Sequence, residues 1–457
     1  MKKIIPLVFI VSILLTACGG ENLTGTAEPS TTPAGAKTQT PQPAVEAASR
    51  LEVSEEALNG LEITVWTPWF GIESDLFNSF VNDFNRQNEW GILVNAQSQV
   101  SFANLYETTT ASLPRQEKPQ LVIALPEHAQ EWFANGVVTN LTEYVEDPKY
   151  GLDSRDIPYV FWGQDTAEDA RVGIPAQRTA QLLLWNETWA DRLGFDSAPN
   201  SIEDFREQAC GARASMLADD SPKNDSLGGW LVNTEAMTAY AWMLAFGGGV
   251  LHEGNYRFLA PDNVESFKFL RELAEESCSW QSASVDPIAA FVNREALFIT
   301  ASLRDLPFVT RAFAGANSTD KWSALAFPGE KDGAMAVYGS SYVILDSTEE
   351  EQLAAWLFVR WLLENEQDAR WVETTHLFPL RTSTMDLLDD YRKTHPQWAQ
   401  AVGLLPEGEM QPQLPSWRTV KIMLGDGFAH MYRVDVPSGQ VAVILANMES
   451  LAKDLIR

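Results

Sequence analysis

The side chains best placed to do chemistry in this chain are rings and carboxyls rather than nucleophiles. Trp66, Trp69 and Phe70 follow directly on the β-branched run Leu61-Glu62-Ile63-Thr64-Val65, which places them at the end of a strand. Rings there either form a platform for the apolar face of a ligand or turn inward as core. Trp356, Trp361 and Trp371 fall within helical runs and read as packing. With 62 acidic residues, neighbouring carboxylates such as Glu203-Asp204 and Asp389-Asp390 are inevitable and carry no catalytic signal. A glycosidase would need two carboxylates facing each other across a sugar, an arrangement that the sequence does not single out. No G-x-S-x-G elbow, H-E-x-x-H, phosphate-cradling G-x-x-x-x-G-K-[ST] loop or G-x-G-x-x-G fingerprint occurs. The five histidines have no metal-ligand spacing, and Cys210 and Cys278 lie too far apart for a C-x-x-C site. The expected chemistry is non-covalent capture, with no catalytic residue, metal or cofactor.

Composition narrows the partner. The formal net charge of −29 repels nucleic acid and anionic headgroups. It also disfavours an anionic small ligand unless a local arginine overrides the mean field. The length of 457 residues and the 45% hydrophobic content suit a globular chain of two or three domains. Lys2 and Lys3 precede a short apolar run, Ile4 to Leu15, and the small residues before Cys18, the layout of a secretory signal over residues 1–17. The ending Leu15-Thr16-Ala17-Cys18 resembles the lipobox of bacterial lipoproteins, which implies a lipid on Cys18 and an anchor on the outer face of a membrane. The other reading is an ordinary signal peptide that happens to contain a cysteine. In an oxidising compartment Cys210 and Cys278 are expected to form a disulfide, with two buried free thiols as the alternative. Closing that loop would contribute roughly 4 kcal/mol. Residues 18–58, rich in Thr, Pro and Ala, read as a flexible stalk.

The elements that must position the rings follow. After the first strand, Leu76, Phe77, Phe80, Val81 and Phe84 repeat at helical spacing; Ile92-Leu93-Val94 is a second strand, Phe102 to Leu113 a helix, and Gln120 to Leu125 a third strand. This alternation implies a mostly parallel sheet covered by helices, with the loops after Trp66 and Leu125 along one edge. Ligands bind at that edge in such sheets. Ser201 with Asp204 three residues later reads as a weak capping box, the middle third is mainly helical, and Ala334 to Leu345 returns to strand character.

The order of these segments resembles the extracellular solute-binding proteins of ABC importers, in the branch that binds sugars and oligosaccharides. The resemblance runs from Leu61 to the C-terminus. Four stretches carry it: Leu61 to Trp66; Lys118-Pro119-Gln120-Leu121-Val122-Ile123 with Gly136-Val137-Val138-Thr139-Asn140-Leu141; Gly173-Ile174-Pro175, Leu184-Trp185-Asn186 and Ser201-Ile202-Glu203-Asp204-Phe205; and Phe327-Pro328-Gly329, Tyr338-Gly339-Ser340 and Phe378-Pro379-Leu380. Departures occur at Gln120, where the family usually has Asp, at Ser302-Leu303-Arg304, near a common Gly-x-Trp, and at Ser340, in place of a second glycine.

The resemblance implies an α/β fold of periplasmic-binding-protein type II, with two lobes and a ligand cleft at the hinge. The N-terminal lobe would span 59–175, the first part of the C-terminal lobe 176–338, a return segment 339–379, and C-terminal helices 380–457. It implies ligand roles for Glu127, Gln177, Arg178, Trp230, Arg304, Tyr338, Ser340 and Trp417 beside Trp66, Trp69 and Phe70. Packing is the alternative for Trp230 and Trp417, helix capping for Glu127, and a cross-cleft carboxylate pair for Arg178. His128 is expected at the surface. The implied function is capture of a mono- or oligosaccharide and delivery to ABC permease subunits, by a monomer held to the bilayer through Cys18. The alternatives are a polyol, glycerophosphodiester or amino-sugar on the same scaffold, and a surface sensor or adhesin.

Overall fold

The computed structural model describes residues 48–115, 118–329 and 333–456. Cys18, the signal-like segment 1–17 and the stalk as far as residue 47 lie outside the described residues. The remainder of the expected stalk, 48–58, belongs to the folded body. Ser49 Oγ and the Arg50 amide both donate to Asp147 Oδ2, at 2.9 and 2.7 Å. A 3-10 turn over Glu55–Leu58 then sinks Leu58 completely into the core. One apolar side chain and one carboxylate some ninety positions away anchor a stretch whose composition alone looks like linker.

Strand β1 (Glu62–Thr67) buries Ile63, Val65 and Thr67 on one face and turns the alternate residues the other way. Helix α1 (Ile72–Gln87) leads to β2 (Leu93–Ser98), and α2 (Phe102–Ser112) leads to β3 (Leu121–Ala124) and α3 (Pro126–Ala134). Both β2 and β3 run parallel to β1. Phe77, Phe80 and Phe84 are buried at the helical period of α1. A second set of elements follows: β4 (Ile174–Trp185), α4 (Ile202–Ala218), β5 (Trp230–Leu231), α5 (Ala236–Ala245), β6 (Ser279–Trp280), β7 (Phe298–Ser302), α6 (Leu306–Gly315), β8 (Ser323–Leu325) and β9 (Met335–Ile344). The chain continues through α7 (Glu349–Leu362), α8 (Asn365–Thr375), α9 (Asp389–Thr394), α10 (Pro396–Gly403), β10 (Gly408–Met410) and α11 (Trp417–Met431), and closes on a helix over Val441–Lys453. Ser201 caps α4 by accepting the Asp204 amide.

The strands form one ten-stranded sheet in the order β6-β5-β7-β4-β9-β3-β1-β2, with β8 on β4 and β10 on β9. Its flanks are parallel, whereas β9 runs antiparallel to both β3 and β4. The two long strands serve two cores. Ile174, Ala176, Tyr342 and Ile344 pack with α1 and α7 in one lobe, while Leu182, Leu184, Met335 and Val337 pack with Phe291 and Trp322 in the other. The lobes therefore meet where Gln177 to Ala180 lies beside Val337 to Ser340. At that crossing a Cβ on Gly339 would fall 2.0 Å from the Gln177 carbonyl, so only glycine lets the strands approach this closely. A register shift between Ser340 and Ser341 marks the same point. Helices α7 and α8 return to the first lobe, where Phe358 packs on Phe84 and Trp371 on Trp69.

Candidate binding cleft

The crossing is the floor of a cleft of about 670 Å³. From β4 come Gln177, Arg178 and Thr179, and from β9 Tyr338, Gly339 and Ser340. The first lobe adds Phe102, held at the start of α2 by the Ser101 cap, and Leu125 beyond β3. The second lobe adds Thr234 to Met237 at the start of α5, Ser302 and Arg304 beyond β7, and one face of α11, namely Lys421, Ile422, Gly425, Asp426 and Ala429. Strand ends and helix starts thus converge, as in open α/β sheets generally.

Arg178 is wholly buried; both terminal nitrogens are engaged by protein, while Nε has no partner among the described residues. Its Nη2 pairs with Asp165 Oδ2 at 2.6 Å and also meets the Phe161 carbonyl, while Nη1 donates to the Ser340 carbonyl at 2.5 Å. Burial pushes the guanidinium below its ordinary value, and Asp165 opposes that shift. The residue pins β4 to β9. Tyr338 Oη donates to Gln181 Oε1 at 3.0 Å, and burial raises its pKa. Gln177 reaches Ser340 Oγ at 3.4 Å and Glu73 at 3.5 Å, contacts long enough to yield to a better partner.

Ion pairs cross from lobe to lobe beside the cleft. Glu73 on α1 meets Arg304 at 2.9 Å. Glu127, in the first turn of α3, receives Lys421 Nζ of α11 at 2.5 Å. Arg418 lies 3.8 Å from Glu131 and 4.4 Å over the Tyr106 ring. The Glu127 side chain is wholly buried. Burial alone would raise its pKa, but Lys421, by charge and by hydrogen bond, brings it below the ordinary value. Its second oxygen, Oε2, has no partner among the described residues. His128, expected at the surface, is buried against Tyr106, and burial lowers its pKa to about 4.

Of the residues singled out from sequence, Gln177, Arg178, Arg304, Tyr338 and Ser340 line the cleft, and Glu127 backs it through Lys421. The tryptophans do not. Trp69 is buried between Phe77 and Trp371, with ring centroids at 5.1 and 4.7 Å. Trp230 is fully buried against Phe205 and Trp242, with Nε1 on Thr300. Trp417 is fully buried beside Tyr240, with Nε1 on Gln411. Trp66 is half-buried and bonded to Gln97, and Phe70 is exposed, both outside the cleft lining. Indoles this large are the cheapest way to fill two lobe interiors, so the cores claim them. Phe102, Glu235, Lys421 and Asp426 were missed. The signal for the last two was present: positions 417, 420, 424, 428 and 431 of α11 are buried, which leaves 421, 422, 425, 426 and 429 on the other side.

Cys210 and Cys278 are joined in a disulfide that ties α4 to the segment before β6. Glu276 lies beside it, but both sulfurs are already spent on each other.

Residues 79–404 match the model of the bacterial extracellular solute-binding protein family. The chain belongs to that family. A Brucella abortus (strain 2308) binding protein is 20% identical to this solute-binding protein over 309 residues, covering 66% of this chain and 72% of its own. The sugar-binding protein MalE of Xanthomonas citri superimposes with a TM-score of 0.73 at 17% identity, over 86% of this chain and 97% of that one. The cyclic α-maltosyl-1,6-maltose binding protein of Arthrobacter globiformis gives 0.72 at 16%, over 86% and 98%. UgpB of Mycobacterium tuberculosis, in complex with glycerophosphocholine, gives 0.71 at 17%, over 86% and 98%. These likenesses establish the two-lobed binding-protein fold. No helix among the described residues is long and apolar enough to cross a membrane.

Proposed function

We propose that this solute-binding protein captures a carbohydrate, a mono- or oligosaccharide, in the cleft between its lobes and delivers it to an ABC permease. The observation that carries the reading is the lining. Phe102, Leu125, Met237 and Ile422 offer apolar surface, while Thr179, Thr234, Glu235, Ser302 and Asp426 offer hydroxyls and carboxylates at the same cavity. A sugar has matching apolar C–H faces and a rim of hydroxyls. Phe102 takes the stacking role that the tryptophans do not fill, and Gln177 and Ser340 bond hydroxyls from the floor. Two lobes joined at one strand crossing close on the solute by hinge motion, and binding involves no chemical change. An acyl chain on Cys18 would hold the loaded protein beside its permease at high effective concentration.

The alternative solute is a glycerophosphodiester or amino-sugar with a cationic group. Glu235 and Asp426 favour it, because both are exposed acids on the cleft wall. Calorimetric titration with neutral mono- and oligosaccharides, glucosamine and glycerophosphocholine separates the two. Saturable heat with a neutral sugar supports the carbohydrate reading, and heat only with the cationic solutes replaces it.

A further inference from the structure

A second cavity, of about 440 Å³, lies on the far side of the segment that walls the cleft. Leu377 lines the cleft, and its neighbour His376 lines this cavity with Arg311, His395 and Trp398. In a chain of formal charge −29, none of the residues lining it is acidic. His376 ends α8 in the left-handed region (φ 61°), which swings its ring out of the helix to bond Tyr391 Oη through Nδ1. The ring of Tyr391 stacks on His395 at 4.0 Å, and the two imidazoles lie 5.7 Å apart. His395 Nδ1 sits 3.0 Å from both the Tyr391 carbonyl and Thr394 Oγ1, and Nε2 has no hydrogen-bond partner among the described residues, so the protonated ring can donate through it. Arg311 has no carboxylate partner among the described residues; its guanidinium rests 4.6 Å over Phe308. Helix α10, for which His395 is the N-cap, has no side-chain cap either, so its first-turn amides add to the same positive field.

We propose that this cavity is a binding site for a small oxyanion, held by the Arg311 guanidinium and the His376 and His395 imidazoles. The charge pattern supports it physically. Burial is the main cause that lowers the pKa of His376 to about 4; His395 and Arg311 add to it, and an anion among the three groups would offset that added part. The apolar lining from Leu306, Pro307 and Trp398 leaves room for a carbon flank on the anionic group. The site is independent of the solute reading, since no cleft residue takes part.

The groups that govern its pH dependence are Arg311 on α6, His376 and the nearby Glu373 on α8, Tyr391 on α9 and His395 at α10. A bound anion favours the protonated form of His376, whose ring then donates through both nitrogens, so binding takes up a proton and strengthens as pH falls toward 5.5. Sulfate is the probe because its charge does not change between pH 5.5 and 7.5, and butyrate tests the carbon flank. The full chain is titrated at constant ionic strength while the histidine ¹⁵N signals are followed by NMR. The expected result is saturable sulfate or butyrate binding that shifts His376 and His395, is tighter at pH 5.5, and weakens about tenfold in Arg311→Gln. Sulfate binding alone restricts the site to compact oxyanions. No saturable binding of either anion, or binding that Arg311→Gln leaves unchanged, overturns the proposal. Because Arg311 is exposed, the substitution leaves folding and solute binding intact, which the melting curve and the cleft titration check.

Discussion

Substitution of Lys421 by Met tests whether the cross-cleft pair governs closure. With the lobes as the structure places them, Glu127 is fully buried and its hydrogen-bonding partner is Lys421, on a helix of the opposite lobe. Removing one member of a buried pair costs about 3–5 kcal/mol, because the other charge is left unsolvated. Lys421 keeps about a quarter of its side chain exposed, so the cost falls to the lower end of that range or somewhat below it. Opening the lobes, however, returns Glu127 to water at once. The penalty therefore falls on the closed state, not on the fold. About 2–3 kcal/mol against closure weakens apparent solute affinity by roughly 30- to 150-fold. Small-angle scattering with saturating solute reads the larger radius of gyration, calorimetry reads the affinity, and a thermal melt without solute reads the fold. Pairing Lys421→Met with Glu127→Gln should recover most of the affinity, since no buried charge then remains. An unchanged affinity and radius, with a melting point that drops instead, would show the pair to be structural and refute the reasoning.

Trp230→Ala and Trp417→Ala should each cost about 3–5 kcal/mol of stability by denaturant melt, because both rings are fully buried, while solute affinity of the folded fraction stays unchanged. Phe102→Ala should do the reverse, weakening solute binding about fivefold by calorimetry with little change in melting. Asp147→Ala should release residues 48–58 and speed tryptic cleavage after Arg50, since Asp147 accepts from Ser49, Arg50, Lys149 and Tyr150. Burial tends to raise the Asp147 pKa, but the backbone donors Tyr150, Arg50 and Lys149 prevail and lower it. Its contribution is therefore complete above the ordinary carboxylate range, near pH 4, and is lost only as pH falls through the depressed value. The same acid limb should appear in the cleavage rate. Reduction of Cys210–Cys278 should lower stability by roughly 4 kcal/mol, and thiol titration of the denatured, unreduced protein should find neither sulfur free.

Several site residues were legible in the sequence because they lie on strands whose neighbours are forced. Gln177, Arg178, Tyr338 and Ser340 occupy the two segments that cross between lobes, and any closure of the fold brings them together. The role of Arg178 was less legible. It faces the cavity, yet its partners Asp165, Phe161 and Ser340 come from segments that spacing does not connect. The tryptophans misled because their suitability for stacking is equally a suitability for burial. For Trp417 the helical period already held the answer, since it shares its stripe with Val420, Leu424 and Phe428.

What the sequence determined by itself was periodicity: the alternation of Ile63 and Val65, the stripe of α1, the Ser201 cap, and an order of elements that implies a mostly parallel sheet covered by helices. These are short-range properties, set by backbone geometry and by which face of one element is apolar. Only the tertiary structure decided which side chains meet across the gap. Glu127 with Lys421, Glu73 with Arg304, and the basic cavity of Arg311, His376 and His395 are each assembled from elements distant in the chain. The free energy of such a charge depends on the partner and the water around it, and both are fixed only once the lobes have packed.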